Sequence, residues 1–257
     1  DLFGVVETLF IGKNTIFFLV IESTNSYAIN LLKNVKLPEG TLVYTGKQTK
    51  GKGQRGSTWN AEAINNVTVS YILNPSFLDL KNQHYLYQIA ALACYDTTAE
   101  LLDSSQIDIK IKWPNDILVN GKKLCGILIE NSLNNDRLNW SVIGVGFNVN
   151  QTYFEGLEKA CSLKQITSKT FRVEEVMKTI SSFLEKRYLD LKANKLPVIN
   201  SAYTAVLHGL NKRLKFQVKG NTVFFSVKGI SNTGLLVLED DKCKKWEFDV
   251  KEITWLE

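Results

Sequence analysis

Residues 111–130, IKWPNDILVNGKKLCGILIE, constrain the fold more than any other part of the chain. Trp113-Pro114 ends an alternating strand that starts near Ile107, because proline has no N–H to donate to a strand ladder. Asn120-Gly121 is the strongest two-residue signal for a β-hairpin. The returning strand, residues 124–130, is apolar on both faces, which is typical of a strand buried on both sides. The segment therefore predicts a hairpin within a buried sheet.

Polar side chains near this hairpin are candidates for chemistry. Asn115 and Asp116 follow the proline, where side chains can leave the sheet and face a cleft, and Lys123 stands at the start of the return strand beside Lys122. Each residue taken alone has an ordinary explanation as a turn cap or a solvated hairpin charge. Together, a carboxylate, an amide and an ammonium at one rim suggest the handling of an anionic substrate.

The remaining pattern predicts an α+β fold, a mixed sheet flanked by helices over residues 1–209. The predicted strands are residues 15–21, 41–45, 67–73 and one within 138–149. One predicted helix runs from Ser23 or Thr24 to about Asn34, and three more cover residues 85–102, 172–191 and 197–208. After Leu210 the chain changes to four or five short alternating strands with tight turns. Residues 210–257 therefore form a small β-barrel in this prediction.

Residues 47–59 form the most unusual predicted loop, with three glycines and four cations. Glycine lets a backbone approach a ligand and offer its N–H groups, while Lys and Arg oppose negative charge. The loop lacks the G-x-x-x-x-G-K-[ST] order of a P-loop, which argues against an ordinary NTPase. On composition alone it also fits a mobile polar surface loop.

Three motifs together resemble the biotin protein ligases. KWPND stands at the family's spacing from K-L-x-G-I-L-x-E, and Ser23-Thr24-Asn25 matches the family's S-T-N. The loop resembles the family pattern Q-x-x-G-[RK]-G-x-x-G-x-x-W through Gln48, Gly51, Lys52, Gly53, Gly56 and Trp59. The resemblance runs from Phe10 to the C-terminus and implies a catalytic domain followed by an SH3-like barrel.

The resemblance also implies roles for individual residues. It assigns to biotin Ser23, Thr24, Asn25, Gln48, Gly51, Lys52, Lys123 and Gly126. It assigns to ATP and the adenylate Lys52, Gly53, Gln54, Arg55, Trp59, Asn115, Asp116 and Asn148. Lys123, Asp116 and Arg55 are the catalytic candidates. Family members often carry arginine at the position of Gln54, and Arg55 is the nearest substitute.

The implied reaction uses ATP and Mg²⁺ as co-substrates, forms biotinyl-5′-AMP and transfers biotin to a lysine of a carboxylase's biotin carboxyl carrier domain. No prosthetic group and no fixed metal site are expected, with Asp116 a candidate to share the Mg²⁺ of ATP. Two alternatives share the fold: a lipoate–protein ligase, and an ATP-independent acyltransferase working through Cys125. A biotin-sensing repressor is the alternative from another class, but residues 1–14 are too short for a DNA-binding helix-turn-helix, so no DNA binding is expected.

The composition of the chain limits which other classes of function are possible. Lys and Arg exceed Asp and Glu by 31 − 26 = 5, which suits a phosphate-bearing ligand but is too small to imply nucleic acid. Four scattered cysteines and two histidines fit no ordinary zinc pattern and favour reduced thiols in the cytoplasm. No apolar run reaches transmembrane length. The sequence does not decide between a monomer and a homodimer.

Overall fold

Seven strands form one mixed sheet in the computed structural model, which describes residues 8–102, 106–134 and 136–256, apart from the side chain of Arg55. The strands are β1 (Thr15–Ile21), β2 (Thr41–Gln48), β3 (Asn66–Leu73), β4 (Ile109–Lys112), β5 (Asp116–Val119), β6 (Lys122–Asn134) and β7 (Arg137–Asn148). Their order is β1-β2-β3-β7-β6-β5-β4. β1 and β2 are parallel and the other neighbours antiparallel, so the predicted mixed sheet is confirmed.

The predicted central hairpin is confirmed in β5 and β6. Asn120 and Gly121 both have positive φ, 49° and 77°, as a two-residue hairpin turn requires. The pairing is irregular between Ile117 and Leu118, where Ile117 faces Cys125 but Leu118 already faces Lys123. The extra residue on β6 is a β-bulge, which breaks the regular alternation of side chains between the two faces of the strand.

Helices cover both faces of the sheet, in agreement with the predicted α+β class. They are α1 (Thr24–Leu32), α2 (His84–Leu101), α3 (Leu163–Thr167), α4 (Val173–Lys192) and α5 (Leu196–Ala205). The larger hydrophobic cluster includes buried residues of α2, α4, β6 and β7. A smaller cluster around Ala28 and Val43 packs α1 on the sheet. The apolar residues predicted to form one side of these helices therefore anchor them to the sheet.

The last helix is shorter than predicted, ending at Ala205 and not at His208. Residues 206–208 instead run beside the edge strand β4. The N–H of Ile111 donates to the carbonyl of Val206 (2.9 Å) and the N–H of His208 donates to the carbonyl of Ile111 (2.8 Å). These backbone partners replace the helical ones, because an edge strand offers unpaired N–H and C=O groups.

A second sheet follows, built from β8 (Arg213–Val218), β9 (Asn221–Ile230), β10 (Leu236–Glu239), β11 (Lys245–Phe248) and β12 (Ile253–Trp255). Its order is β11-β10-β9-β8-β12, with all neighbours antiparallel. β11 and β12 lie at opposite edges, so the sheet is open and the predicted closed barrel is not confirmed. The boundary at residues 209/210 stays a prediction.

The two sheets share one core and direct contacts. Phe216 and Leu236 of the second sheet belong to the same hydrophobic cluster as α2 and β7. The indole N–H of Trp113 donates to the carbonyl of Gly234 (3.1 Å), which ties the turn after β4 to the second sheet. Across the described ranges, no helix is long and apolar enough to cross a membrane.

Candidate active site

A cleft of about 240 Å³ opens on the seven-stranded sheet and gathers most of the predicted site residues. Those that line it are Ser23, Thr24, Asn25, Gln48, Lys52, Gly53, Gln54, Trp59, Asn115, Asp116, Lys123 and Gly126. Gly144 and Gly146 of β7 lie at its wall, and Val250 reaches it from the C-terminal part of the chain. The contribution of Val250 carried no signal in the sequence, since it depends on how the second sheet packs.

The start of α1 forms one end of the cleft. Ser23, one of the two predicted capping residues, is the N-cap, and its Oγ accepts the N–H of Ser26 at 3.4 Å. The backbone N–H of Thr24 donates to Gln48 Oε1 (2.8 Å), and the Thr24 hydroxyl lies 3.1 Å from the same oxygen. Gln48, at the end of β2, is thereby held with its amide oxygen toward α1 and its amide nitrogen facing away.

Asn25 is held by three residues that the sequence analysis did not name as site residues: Ser70, Leu128 and Glu130. Its Nδ2 donates to Glu130 Oε2 (2.9 Å) and to the carbonyl of Leu128 (3.3 Å), and its Oδ1 accepts from Ser70 Oγ (2.6 Å). Gly144 admits this side chain, because a Cβ there would lie 2.4 Å from Asn25 Oδ1. A serine in the apolar strand β3 was the available signal for Ser70.

Lys123 and Asp116 form an ion pair in the cleft. Lys123 Nζ lies 2.8 Å from Asp116 Oδ1, and their side chains are 38% and 23% exposed. Gly126 makes room for the lysine, since a Cβ at that position would lie 3.1 Å from Lys123 Cε. Lys122, its neighbour, is exposed and does not line the cleft. The hairpin thus directs one lysine inward and the other to solvent.

The glycine-rich loop is closed on itself by backbone contacts. Lys52 and Thr58 form an antiparallel bridge, and the N–H of Gly53 donates to the carbonyl of Ser57 (2.7 Å). Gly51 does not line the cleft; a Cβ there would lie 2.2 Å from the Trp59 carbonyl oxygen, so this glycine serves the loop's own packing. The predicted role of Arg55 concerns a side chain outside the described part of the structure.

Trp59 lies across the glycines of β6 and β7. A Cβ at Gly146 would come within 2.2 Å of Trp59 Cε2, and one at Gly126 within 3.0 Å of Cζ3. Lys123 Nζ lies 5.7 Å from the centroid of the indole ring, in range for a cation–π contact. Trp59 Nε1 is buried without a hydrogen-bond partner in the described part of the chain. The stacking of adenine on Trp59 stays a prediction.

The structure places the two asparagines that were predicted to contact the adenylate differently: one lines the cleft and the other does not. Asn115 lines the cleft, but its Nδ2 donates to the carbonyl of Ile127 (2.6 Å) and its own carbonyl accepts the N–H of Ile127 (3.0 Å). It therefore holds the turn against β6. Asn148 is buried, donates to the carbonyl of Cys161 (3.0 Å) and does not line the cleft. The amide of Asn148 is used within the core, and its contact with adenine stays a prediction.

Cys125 is fully buried in β6. Burial, with smaller effects from Cys94 and Asp116, raises the pKa of its thiol well above the ordinary value. A buried, protonated thiol is a poor nucleophile, which disfavours the acyltransferase alternative. Among the residues that the structure describes, no three His, Cys, Asp or Glu side chains are grouped to hold a metal ion.

The fold and the cleft define an α+β protein with a mixed sheet, a helix-capped polar end, a cationic glycine-rich loop and a lysine–carboxylate pair. The Biotin/lipoate A/B protein ligase family matches residues 17–148. The chain belongs to this family.

Two relatives agree with this assignment, and a solved structure shares the fold. The chain is 33% identical over 244 residues to the "Bifunctional ligase/repressor BirA" of Bacillus subtilis, covering 93% of this chain and 73% of that protein. It is 27% identical to the "Biotin--[acetyl-CoA-carboxylase] ligase" of Mycobacterium tuberculosis, covering 78% and 74%. The fold resembles that of the biotin protein ligase from Aquifex aeolicus in complex with biotin and ATP, with a TM-score of 0.77, 24% identity, and coverage of 94% and 98%.

Proposed function

We propose that this protein is an ATP-dependent biotin protein ligase. It activates biotin as biotinyl-5′-AMP and transfers it to a lysine of a biotin carboxyl carrier domain. The observation that carries the proposal is the placement of Lys123 and Asp116 in the same cleft as Thr24, Gln48 and the glycine-rich loop. An acid-binding end and a phosphate-binding end then share one cavity, as a reaction between a carboxylate and ATP requires.

The central chemical problem is repulsion between two anions. A carboxylate attacking the α-phosphate of ATP brings two negative charges together, and two unit charges ~4 Å apart repel by ~4 kcal/mol at an effective dielectric near 20. Unopposed, that repulsion costs about three orders of magnitude in rate. Lys123 faces the cleft from β6 and Lys52 from the loop, so they offset this charge where it accumulates.

Mg²⁺ enters this proposal as a co-substrate with ATP. Mg²⁺ is commonly bound through one or two carboxylates and the phosphates of its substrate, while it keeps several waters. Asp116 supplies a carboxylate to the cleft, and its ion pair with Lys123 places the two side chains on the same stretch of wall. We assign to Asp116 the orientation of Lys123 and a share in holding the metal–nucleotide.

Transfer needs no nucleophile from the protein, because the lysine of the carrier domain attacks the adenylate directly and AMP leaves. The four cysteines of the chain are free, three of them buried, which fits a reducing compartment and a cytoplasmic location. We assign residues 210–257 to an SH3-like domain beside the catalytic domain; the direct packing of its sheet on the main core supports this.

Isotope exchange between ATP and pyrophosphate tests the proposal. Biotin should drive the exchange, and lipoate and octanoate should not. Exchange driven by lipoate alone would favour a lipoate ligase. Acyl transfer without ATP would favour an ATP-independent acyltransferase. A carrier domain with and without its acceptor lysine is the matched control for the transfer step.

A further inference from the structure

A second cavity of about 290 Å³, called here the side cavity, lies next to the catalytic cleft. Its walls come from the start of α2, from the turn after β4, and from the β9–β10 and β11–β12 connections of the second sheet. Gln54 and Val250 line both the cleft and the side cavity. The two cavities are therefore adjacent, with these two side chains between them.

The turn of residues 113–116 also separates the side cavity from the cleft. Trp113 and Pro114 line the side cavity, whereas Asn115 and Asp116 line the cleft. Pro114 and Asp116 are two residues apart, so their Cα atoms lie no more than about 7 Å from each other. In an extended peptide, the side chains of residues i and i+2 point to the same face at nearly this spacing. One short peptide can therefore place a side chain in each cavity.

Gln88 of α2 gives the side cavity an unused hydrogen-bond acceptor. This residue is 3% exposed, and its Nε2 donates to Asn200 Oδ1 (3.0 Å). Its Oε1 is buried and has no hydrogen-bond partner among the residues that the structure describes. Because buried polar atoms are normally paired, an unpaired acceptor in the wall of a cavity points to a ligand that donates an N–H or O–H.

Aromatic rings form much of the remaining wall. Tyr87, Trp113 and Tyr203 line the side cavity. The polar groups of two of them are already used: the Tyr203 hydroxyl donates to the carbonyl of Pro114 (3.1 Å), and the Trp113 indole N–H donates to the carbonyl of Gly234 (3.1 Å). These rings therefore offer mainly apolar surface to an occupant.

The charges around the side cavity do not favour an ion. Burial lowers the pKa of the His84 imidazole, against a smaller opposing effect of the Lys81 backbone, so this ring is uncharged at neutral pH. Lys81 and Asp249 also line the cavity, but both are exposed and their charges are opposite in sign. A charged group in the interior would lose its hydration without gaining a partner. The lining therefore suits an uncharged occupant.

The reaction brings a peptide to this place. This inference rests on the proposed function, in which a lysine of the carrier domain attacks the adenylate in the cleft. Lys123 and Asp116 mark where the carboxylate and the phosphate meet in that proposal, and Asp116 is the last residue of the turn that borders the side cavity. The acceptor lysine therefore enters the cleft beside the side cavity, and the residues that flank it pass over its opening.

We propose that the side cavity binds one uncharged side chain of the carrier domain, within two residues of the acceptor lysine. The apolar atoms of that side chain pack on Tyr87 and Trp113, and an N–H or O–H of the same peptide donates to Gln88 Oε1. Occupation of the cavity holds the lysine at the adenylate. It contributes nothing to formation of the adenylate, which takes place before the carrier binds.

Thr233→Trp tests whether the side cavity must be open. Thr233 lines the cavity and is exposed in the β9–β10 connection, so the fold should tolerate an indole that fills the cavity from its edge. Biotin-driven ATP–pyrophosphate exchange should stay within twofold of wild type. The reaction of the adenylate with hydroxylamine, an amine nucleophile without a peptide, should also stay within twofold. Transfer to the carrier domain should lose kcat/KM by about tenfold or more, the value of one buried side chain.

Two further variants make this result specific. Lys81→Trp fills the cavity from the α2 side at an exposed position and should give the same three results, so the test does not depend on one substitution. Val198→Trp adds the same indole at an exposed residue of α5 that lines neither cavity, and it should leave all three rates unchanged.

Substitutions in the carrier identify the bound residue. In a biotin carboxyl carrier domain, each of the two residues on either side of the acceptor lysine is replaced singly by Glu. At one of these positions Glu should lower kcat/KM for transfer by about tenfold or more, because its charge would be buried without a partner. With Thr233→Trp as the enzyme, the same substitution should cost less than about twofold, since the cavity is already closed to that side chain.

Several outcomes would overturn the inference. They are unchanged transfer in both Thr233→Trp and Lys81→Trp, slower exchange or hydroxylamine reaction in these variants, and equal effects of Glu on the wild-type and Thr233→Trp enzymes. Slower exchange would place the nucleotide or biotin in the side cavity. Absence of biotin-driven exchange in the wild-type protein would overturn the proposed function instead.

Discussion

Lys123 Nζ and Asp116 Oδ1 lie 2.8 Å apart across the β5–β6 hairpin, where the bulge in their pairing brings the lysine into the cleft. Asp116 pairs in register with Gly126, and the absence of a side chain at Gly126 leaves the space that the lysine stem occupies. The ion pair orients the ammonium before any substrate binds. Such preorganisation is worth most where negative charge develops during a reaction.

The first prediction concerns the two adjacent lysines. Lys123→Ala should lower biotin-dependent ATP–pyrophosphate exchange by about 100- to 1000-fold, the range for removing one preorganised group from a developing charge. Lys122→Ala is the matched control, since Lys122 is exposed and lies outside the cleft. It should retain nearly full activity. Equal, mild losses in both variants would mean that the lysines are solvated hairpin charges only.

The second prediction uses two glycines on one strand. Gly146→Ala places a methyl group against Trp59, and Gly144→Ala places one against Asn25. Because the two positions serve different ends of the cleft, Gly146→Ala should raise the KM for ATP and Gly144→Ala the KM for biotin, each about tenfold or more. Steady-state exchange kinetics with each substrate varied in turn measure both. If each variant raised the KM for ATP and the KM for biotin equally, the two positions would not serve different ends of the cleft.

The third prediction concerns the loop of residues 47–58. Its cations repel one another and its glycines carry high backbone entropy, so the empty loop should exchange its amide protons quickly. Ordering costs of order 1 kcal/mol per residue, which the bound adenylate must offset. Amide exchange over residues 50–58 should slow on addition of biotin and ATP together. Unchanged protection would show that the loop is not a lid.

Arg55→Gly tests whether the same loop retains the adenylate. Gln54 supplies no charge where relatives often carry arginine, so retention of the adenylate should depend on Lys52 and Arg55. The variant should release the adenylate early and label lysines of bystander proteins, detectable with streptavidin. Lys50→Gly, which removes a cation paired with Glu22 and outside the cleft, is the control. Equal bystander labelling by both variants would contradict the special role of Arg55.

The fourth prediction concerns thiol reactivity. Burial raises the pKa of Cys161 to about 12, and the thiols of Cys94 and Cys125 are fully buried, whereas Cys243 is exposed. Iodoacetamide at pH 8 should therefore modify Cys243 in the native protein and spare the other three, as mass spectrometry of the digest would show. Cys125→Ala should keep substantial exchange activity. Its complete loss with the fold intact would revive the cysteine acyltransferase alternative.

Local sequence patterns determined much of the fold. Asn120-Gly121 predicted the hairpin, and Ser23 or Thr24 predicted the start of α1. The alternating and helical periodicities located the strands and most helices, because these signals act between residues close in the chain. The family motifs also selected Lys123, Asp116 and Gln48 as candidate site residues. Their spacing matches a known family, and the cleft does bring them together.

Long-range packing decided the rest. The end of α5 depends on the edge of β4, and the role of Asn148 depends on the carbonyl of Cys161 nearby. Lys123 and Cys125 are two residues apart, yet one faces the cleft and the other the core, because the bulge between them breaks the alternation. Ser70 and Glu130 meet through Asn25 from three separate elements, a contact that no local pattern encodes. The sequence by itself predicted most of the residues that line the cleft, and the tertiary structure decided which groups orient them, because those contacts join residues far apart in the chain.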